Sequence, residues 1–271
     1  MAATILEQIF THKRTEVERQ RRKVPLERLQ ELAAAAPAPR PFAAGLRHPE
    51  RLALIAEVKK ASPSKGVLID KFEPLDLALT YAENGAAAIS VLTDVRFFQG
   101  SLQYLRNIRQ HLGERGFETP LLRKDFLFDA YQVYEARAYG ADALLLIAGM
   151  LDDPSLAELH ELTLSLGMAA LVEVHTAMEL TRTLTLGATL VGINNRDLHS
   201  FTVDLHTTER VAADLPPVGD PQRPVLVAES GITGAQDLPL LRSWGVDAIL
   251  VGESIVVAAD PAAQVRELAR G

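Results

Sequence analysis

Cysteine is absent from the 271 residues. Without a thiol there is no disulfide framework, no thiolate nucleophile and no cysteine-ligated metal, which fits an intracellular protein best. No apolar run reaches the roughly 18 residues that a membrane-spanning helix needs. The N-terminus mixes Glu7, His12, Lys13 and Arg14 among its apolar residues instead of building a secretory signal. A cytoplasmic protein with no membrane partner is therefore expected. Basic residues are outnumbered, 28 Lys and Arg against 35 Asp and Glu for a formal net charge of −7. That argues against nonspecific binding to nucleic acid, while a local basic site could still hold an anionic small molecule. The seven histidines show no HxxxH spacing, so a metal site has no evident ligand set. Neither GxGxxG after a strand nor GxxxxGK[ST] occurs, which removes the usual support for hydride transfer and for nucleotide hydrolysis.

What is present is an ordinary globular composition, 48% hydrophobic and 23% charged, enough for a substantial core. Residues 4 to 36 read as two helices with loose apolar faces, interrupted at Pro25 and ended by Pro37, Pro39 and Pro41. From about residue 52 short apolar runs alternate with helix-rich stretches, the pattern of successive β-α units around a parallel sheet. Eight runs are found: Leu52–Val58, Ala87–Leu92, Pro120–Arg123, Ala143–Ile147, Ala169–Val174, Leu190–Ile193, Val225–Ala228 and Ala248–Val251. Gly85, Gly140, Gly167, Gly187 and Gly245 stand where helices should stop before the next strand. Eight such units make a (β/α)8 TIM barrel, one domain over residues 1–271 in which 1–48 is an N-terminal helical extension. The proline-rich segment 215–224 reads as a widened connection into the seventh strand and not as a linker between domains.

In such a barrel the residues past the C-terminal ends of the strands converge on one mouth. Polar residues recur there: Glu57 and Lys59 after strand one, Lys124 after strand three, Glu173 at strand five, Asn194 and Arg196 at strand six, Glu229 and Ser230 at strand seven, Glu253 and Ser254 at strand eight. Any one of them alone also fits a solvent-facing strand end; the recurrence at so many ends is what argues for a site. Glu57 and Lys59 are two apart and so share a strand face, where burial demands a partner for each charge. Lys124 lies behind two leucines, so partial desolvation is expected to lower its pKa toward a useful proton donor. Glu173 follows Ala169–Val172, and burial is expected to raise its pKa toward neutrality. His175 reads as structural. Gly231 and Gly252 follow strands seven and eight, where this architecture commonly holds phosphate with backbone N–H groups. Ser62-Pro63-Ser64-Lys65-Gly66 has the look of an anion loop. From the residues alone, the site suits proton-transfer chemistry on an anionic phosphosugar.

The segments AEVKKASPSKG (56–66), VLTDVRFFQGS (91–101), LLRKDF (121–126), LVEVH (171–175), GINNRDL (192–198), ESGI (229–232) and VGES (251–254) together resemble the indole-3-glycerol-phosphate synthase family of tryptophan biosynthesis. The resemblance spans nearly the whole chain, including an N-terminal segment that in this family lies over the barrel mouth. It implies a carboxy-lyase that takes 1-(2-carboxyphenylamino)-1-deoxyribulose 5-phosphate through ring closure, loss of carbon dioxide and loss of water, with no redox cofactor or metal. By the matched motifs Lys124 would protonate the carbonyl oxygen, and Glu173 would stabilise the cationic intermediate and share in dehydration. Glu57 and Lys59 would position the substrate. Asn194 and Arg196 would bind its hydroxyl and carboxylate groups or orient Glu173, and Ser230 would line the same mouth. Ser62, Gly231, Gly252 and the backbone at Glu253 would hold the phosphate, and Phe98 and Phe126 would flank the anthranilate ring in a flat apolar slot. Glu253 departs from relatives that carry serine beside the phosphate, which is tolerable if its carboxylate turns away from the anion. The length leaves room for one barrel, so no fused second barrel is expected. The competing readings are a phosphosugar isomerase on the same barrel and a non-catalytic anion-binding barrel.

Overall fold

The computed structural model describes residues 5–197 and 200–270. In chain order its elements are helices α1 (Ile5–Lys23) and α2 (Leu26–Ala35), strand β1 (Ala53–Val58), the short strands β2 (Ala61–Ser62) and β3 (Gly66–Val67), then α3 (Pro74–Glu83), β4 (Ala88–Leu92), α4 (Leu102–Glu114), β5 (Leu121–Lys124), α5 (Ala130–Ala138), β6 (Ala143–Ile147), α6 (Asp153–Ser165), β7 (Ala169–Val174), α7 (Ala177–Thr185), β8 (Leu190–Asn194), α8 (His206–Ala212), β9 (Val225–Glu229), α9 (Leu238–Ser243), β10 (Ala248–Val251), α10 (Glu253–Val256) and α11 (Pro261–Arg270). Strands β1 and β4 to β10 close into a barrel, each parallel to its neighbours. All eight sequence-read strands are present, with ends shifted by at most one residue. Among the described residues no helix is long and apolar enough to cross a membrane.

Strand alternation positions the site. Side chains two apart share a face, and on β1 Ala53 and Ile55 join the interior cluster while Leu54, Ala56 and Val58 pack outward under the helices. The next inward position is Glu57. The same step leads from Leu122 to Lys124, from Leu171 to Glu173 and from Val227 to Glu229. A floor of aliphatic side chains thus ends in a ring of charges at one rim. Arg123 is on the opposite face of β5, where its guanidinium meets Glu135 of α5 at 2.9 Å. The five glycines read as helix stops have φ between +74° and +98°, which a side chain would resist. Segment 215–224 joins α8 to β9 of the same barrel.

The extension does not stay at the mouth. Ile5 and Ile9 of α1 reach the cavity there, but α2 runs down the flank against α5, where Val17, Leu29 and Tyr131 cluster and Tyr131 Oη donates to Val24 O at 3.0 Å. Arg40 N then donates to Asp142 Oδ1 at 2.6 Å, and Phe42 and Leu46 insert into the interior cluster with Ala53, the first residue of β1. The reason is directional. Strand β1 has to be entered from the end opposite the mouth, so a segment that begins at the mouth must travel the length of the barrel and close its bottom.

Candidate active site

The rim opens into a cavity of about 570 Å³. All thirteen residues assigned to the site from sequence line it, namely Glu57, Lys59, Lys124, Glu173, Asn194, Arg196, Ser230, Ser62, Phe98, Phe126, Gly231, Gly252 and Glu253, and so does Glu229. Leu198 of the sixth-strand motif lies outside the described residues. Lys124 is the hub. Its Nζ donates to Glu229 Oε2 and, at 3.2 Å, to Glu173 Oε2. Glu173 Oε1 accepts from Asn194 Nδ2 at 3.1 Å. Glu57 Oε2 lies 3.4 Å from Lys59 Nζ, which also sits 5.8 Å from the centre of the Phe98 ring. Phe98 and Phe126 have ring centroids 6.1 Å apart at 40°, so the two aromatics meet at one side of the cavity.

Charge balance overturns two of the sequence expectations. Burial works to lower the Lys124 pKa, but the Glu229, Glu173 and Glu57 carboxylates outweigh it and hold the lysine well above its ordinary value. Burial works to raise Glu173, but Lys124, His175 and the Asn194 amide outweigh it, so its pKa falls. The carboxyl that does rise is Glu229. Burial, helped by the Glu173 and Glu57 carboxylates, outweighs the pull of Lys124, and together they leave it raised to about 7. The same two carboxylates, Glu173 and Glu57, favour the charge on Lys124 and oppose it on Glu229. Glu229, 1% exposed, is a charged residue of the cavity that the sequence reading left without a role. Its signal was its place as the next inward residue after Val225 and Val227.

Other residues settle into narrower places. Asn194, not Arg196, touches Glu173; Arg196 Nη2 instead lies 3.9 Å from Glu253 Oε2. Glu253 is also bound by Lys65 through Oε1, so its carboxylate is engaged by two cations. Ser62 belongs to the β2–β3 ribbon, in the segment the sequence reading took as an anion loop, and its buried Oγ has no protein partner. Ser230 has φ +65° and Gly231 φ +83°, a left-handed pair that turns the chain sharply off β9. His175 stands behind Glu173, its Nε2 3.6 Å from Oε1, while its backbone N–H donates to Glu179 at 2.7 Å. Among the described residues no group of three or more His, Asp or Glu side chains could hold a metal ion.

Glycine at position 192 makes room for this arrangement. A Cβ there would overlap Glu229 Oε1 and approach Leu171 Cδ1 to 3.3 Å. Since the carboxylate is the part that can give, Gly192→Ala is expected to displace Glu229 from Lys124. Turnover should fall at least about tenfold, for a smaller loss of stability than a core clash would cause. Steady-state kinetics beside a thermal melt checks this; unchanged turnover would show that Glu229 does not need its present position.

A closed β/α barrel with a half-buried ammonium held between two buried carboxylates at its C-terminal rim defines a barrel enzyme of acid–base chemistry. The family profile described as indole-3-glycerol phosphate synthase matches residues 6–268. An indole-3-glycerol phosphate synthase of Roseiflexus sp. (strain RS-1) is 63% identical over 99% of this chain and 99% of its own. One from Dehalococcoides mccartyi (strain CBDB1) is 48% identical over 97% and 99%. A crystal structure of 3-hexulose-6-phosphate synthase superposes with a TM-score of 0.61 at 17% identity, covering 80% of this chain and 98% of that one, a likeness of fold. The chain belongs to the indole-3-glycerol phosphate synthase family, and its activity is that family's carbon–carbon lyase step in tryptophan biosynthesis.

Proposed function

We propose that this mouth closes the ring of 1-(2-carboxyphenylamino)-1-deoxyribulose 5-phosphate with Lys124 as the acid. As the carboxylate-bearing ring carbon attacks the ribulose carbonyl, negative charge develops on the carbonyl oxygen, and the Lys124 ammonium gives that oxygen a proton. Carbon dioxide leaves from the same ring carbon and aromaticity returns. The hydroxyl made in the first step then departs as water, taking a proton from the Lys59 ammonium in the same cavity, while a base takes the proton lost from the neighbouring methylene carbon. Glu173, kept ionised, faces the cationic intermediate of that step. Glu229, poised near neutrality, takes the methylene proton. Glu57 and Lys59 position the sugar, Asn194 orients Glu173, and Ser230 lines the mouth beside them. Phe98 and Phe126 hold the aromatic ring over the carbonyl. The observation that carries this reading is the placement of Lys124 Nζ between Glu173 and Glu229.

The phosphate end lies where Ser62, Gly231, Gly252, the Glu253 backbone and Lys65 line the same cavity. The unpartnered Ser62 Oγ supports this, because a buried hydroxyl without a partner is costly and a phosphate oxygen would satisfy it. Arg196, which lines the same cavity, adds a positive charge for the anionic substrate. Gly252 also lets β10 pass close to Glu57, since a Cβ would lie 3.0 Å from Glu57 Cβ. Ser62→Ala is expected to raise KM by about tenfold, the worth of one charge-assisted hydrogen bond, with kcat nearly unchanged. A loss confined to kcat would move Ser62 out of the phosphate site.

A phosphorylated substrate that does not cross membranes supports a cytoplasmic location. The test is fluorescence-detected formation of indole-3-glycerol phosphate by EDTA-treated protein. Product without added metal supports the reading, and no product from folded protein that still binds the product would withdraw it. Turnover of an aminodeoxyribulose-forming isomerase substrate instead would favour the isomerase.

A further inference from the structure

Lys13 is a lysine in a place where lysines are rarely found. It lies on α1 with 1% of its surface exposed, and its Nζ is 2.8 Å from Asp94 Oδ2, 2.9 Å from Asp125 Oδ1 and 3.2 Å from Glu16 Oε2. Ile9, Lys13 and Val17 are the buried positions of α1 among the described residues, four apart and so on one helix face. Val17 anchors the lower part of the helix against Leu29 and Tyr131. Near the mouth, the charge at Lys13 is the central anchor.

The two aspartates belong to the two loops that carry the aromatic pair. Asp94 organises the loop after β4: its Oδ1 accepts from Phe97 N at 2.7 Å and its carbonyl accepts from Gly100 N at 2.7 Å, bracketing Phe98. Asp125 follows Lys124 directly, accepts from Phe126 N at 2.9 Å, and is held from the other side by Thr93 Oγ1 at 2.6 Å and Arg123 Nη2 at 3.2 Å. One ammonium therefore ties together the helix that brings Ile5 and Ile9 over the cavity, the loop of Phe98 and the segment Lys124–Phe126. A buried ion pair is a poor device for stability, since apolar side chains of similar size usually hold helices as well, but its directional partners fix relative position.

We propose that Lys13 is a positioning residue of the ring-closure site, setting the spacing of Phe98 and Phe126 and holding α1 over the bound aromatic ring. The proposal rests on the mouth being the reacting site. Because Asp125 keeps Arg123 and Thr93 when Lys13 is lost, while Asp94 keeps only the Phe97 amide, the Phe98 loop is the side that should loosen.

The test compares wild type with Lys13→Met, which keeps chain length and removes the charge, and Lys13→Arg, which keeps the charge. Kinetics are measured well below the melting midpoint of each. For Lys13→Met, KM is expected to rise about tenfold and kcat to fall about tenfold, with partial recovery in Lys13→Arg. Tryptic cleavage within α1 is expected to be slowed by indole-3-glycerol phosphate in wild type, and to be faster and no longer slowed in Lys13→Met. Phe98→Leu should cost about tenfold in wild type and under about threefold in the Lys13→Met background, since both act through one slot. Should Lys13→Met fail to fold, Asp94→Asn carries the same expectations. A lower melting midpoint with wild-type kcat and KM, or fully additive effects with Phe98→Leu, would overturn the proposal and leave Lys13 a fold anchor. Wild-type turnover in the same assay separates such a failure from failure of the site assignment.

Discussion

Lys124→Ala is expected to lose about 10²–10⁴-fold in kcat while affinity for a product analogue changes little, the range typical of a general acid. The ammonium is placed to give its proton only once negative charge has built up on the carbonyl oxygen, so its contribution belongs to the transition state. Its high pKa does not argue against the role. The three carboxylates around it hold the proton on the lysine in the free enzyme, and the oxyanion that forms during attack is a stronger base than the ketone it came from. The variant also leaves Glu173 and Glu229 buried without their shared cation, so one of them should take up a proton at neutral pH. Lys124→Arg keeps the charge but is not expected to rescue, because a guanidinium does not give up its proton. Single-turnover kinetics with fluorescence detection provide the measurement. Activity within about threefold of wild type would end the assignment, and equal losses in kcat and binding would make Lys124 a binding residue.

The distribution of what could be read from the chain follows from the range of the forces involved. Glu57, Lys124 and Glu173 were legible because strand alternation is local: each stands two residues beyond an aliphatic neighbour on the interior face. Their ionisation was not legible. Lys124 meets Glu229, 105 positions away, and Glu173, 49 positions away, and the sign of each shift depends on which of burial and charge prevails in that assembled ring. Burial alone predicts a lowered Lys124 and a raised Glu173, and both directions reverse once the neighbours are present. The path of the extension was hidden for a related reason. Its helices look amphipathic wherever they pack, and only the closed barrel shows that Phe42 and Leu46 belong at the bottom while Ile5 and Ile9 belong at the top. Arg196 looked interchangeable with Asn194 two residues away, yet the backbone leaves the strand between them and sends its side chain toward Glu253.

Glu229→Gln separates a base from a structural partner through pH. In the folded protein the Glu229 carboxyl is raised from 4.5 to about 7, so it is mostly protonated at pH 6 and mostly ionised at pH 8. As the base of dehydration it must be ionised, and wild-type kcat is expected to rise with pH through an inflection near 7. Glu229→Gln should lose about 10²-fold or more at pH 8 and lose that inflection with it. Stability should move the opposite way. A carboxyl whose folded pKa lies above its unfolded value stabilises the fold while protonated and withdraws that help as pH rises from 4.5 through 7. Once ionised it costs of order 3 kcal/mol, which the neutral amide avoids. The variant should therefore melt higher than wild type at pH 8, by less than this amount because Lys124 loses its partner, and the difference should shrink toward pH 5. A slower, more stable enzyme with a flat pH profile is the signature of a carboxylate kept under strain for chemistry. If Glu229→Gln instead melts lower at every pH and retains the inflection, Glu229 is a strut for Lys124 and the proton passes to another group, with Glu173 and its neighbour His175 next in reach.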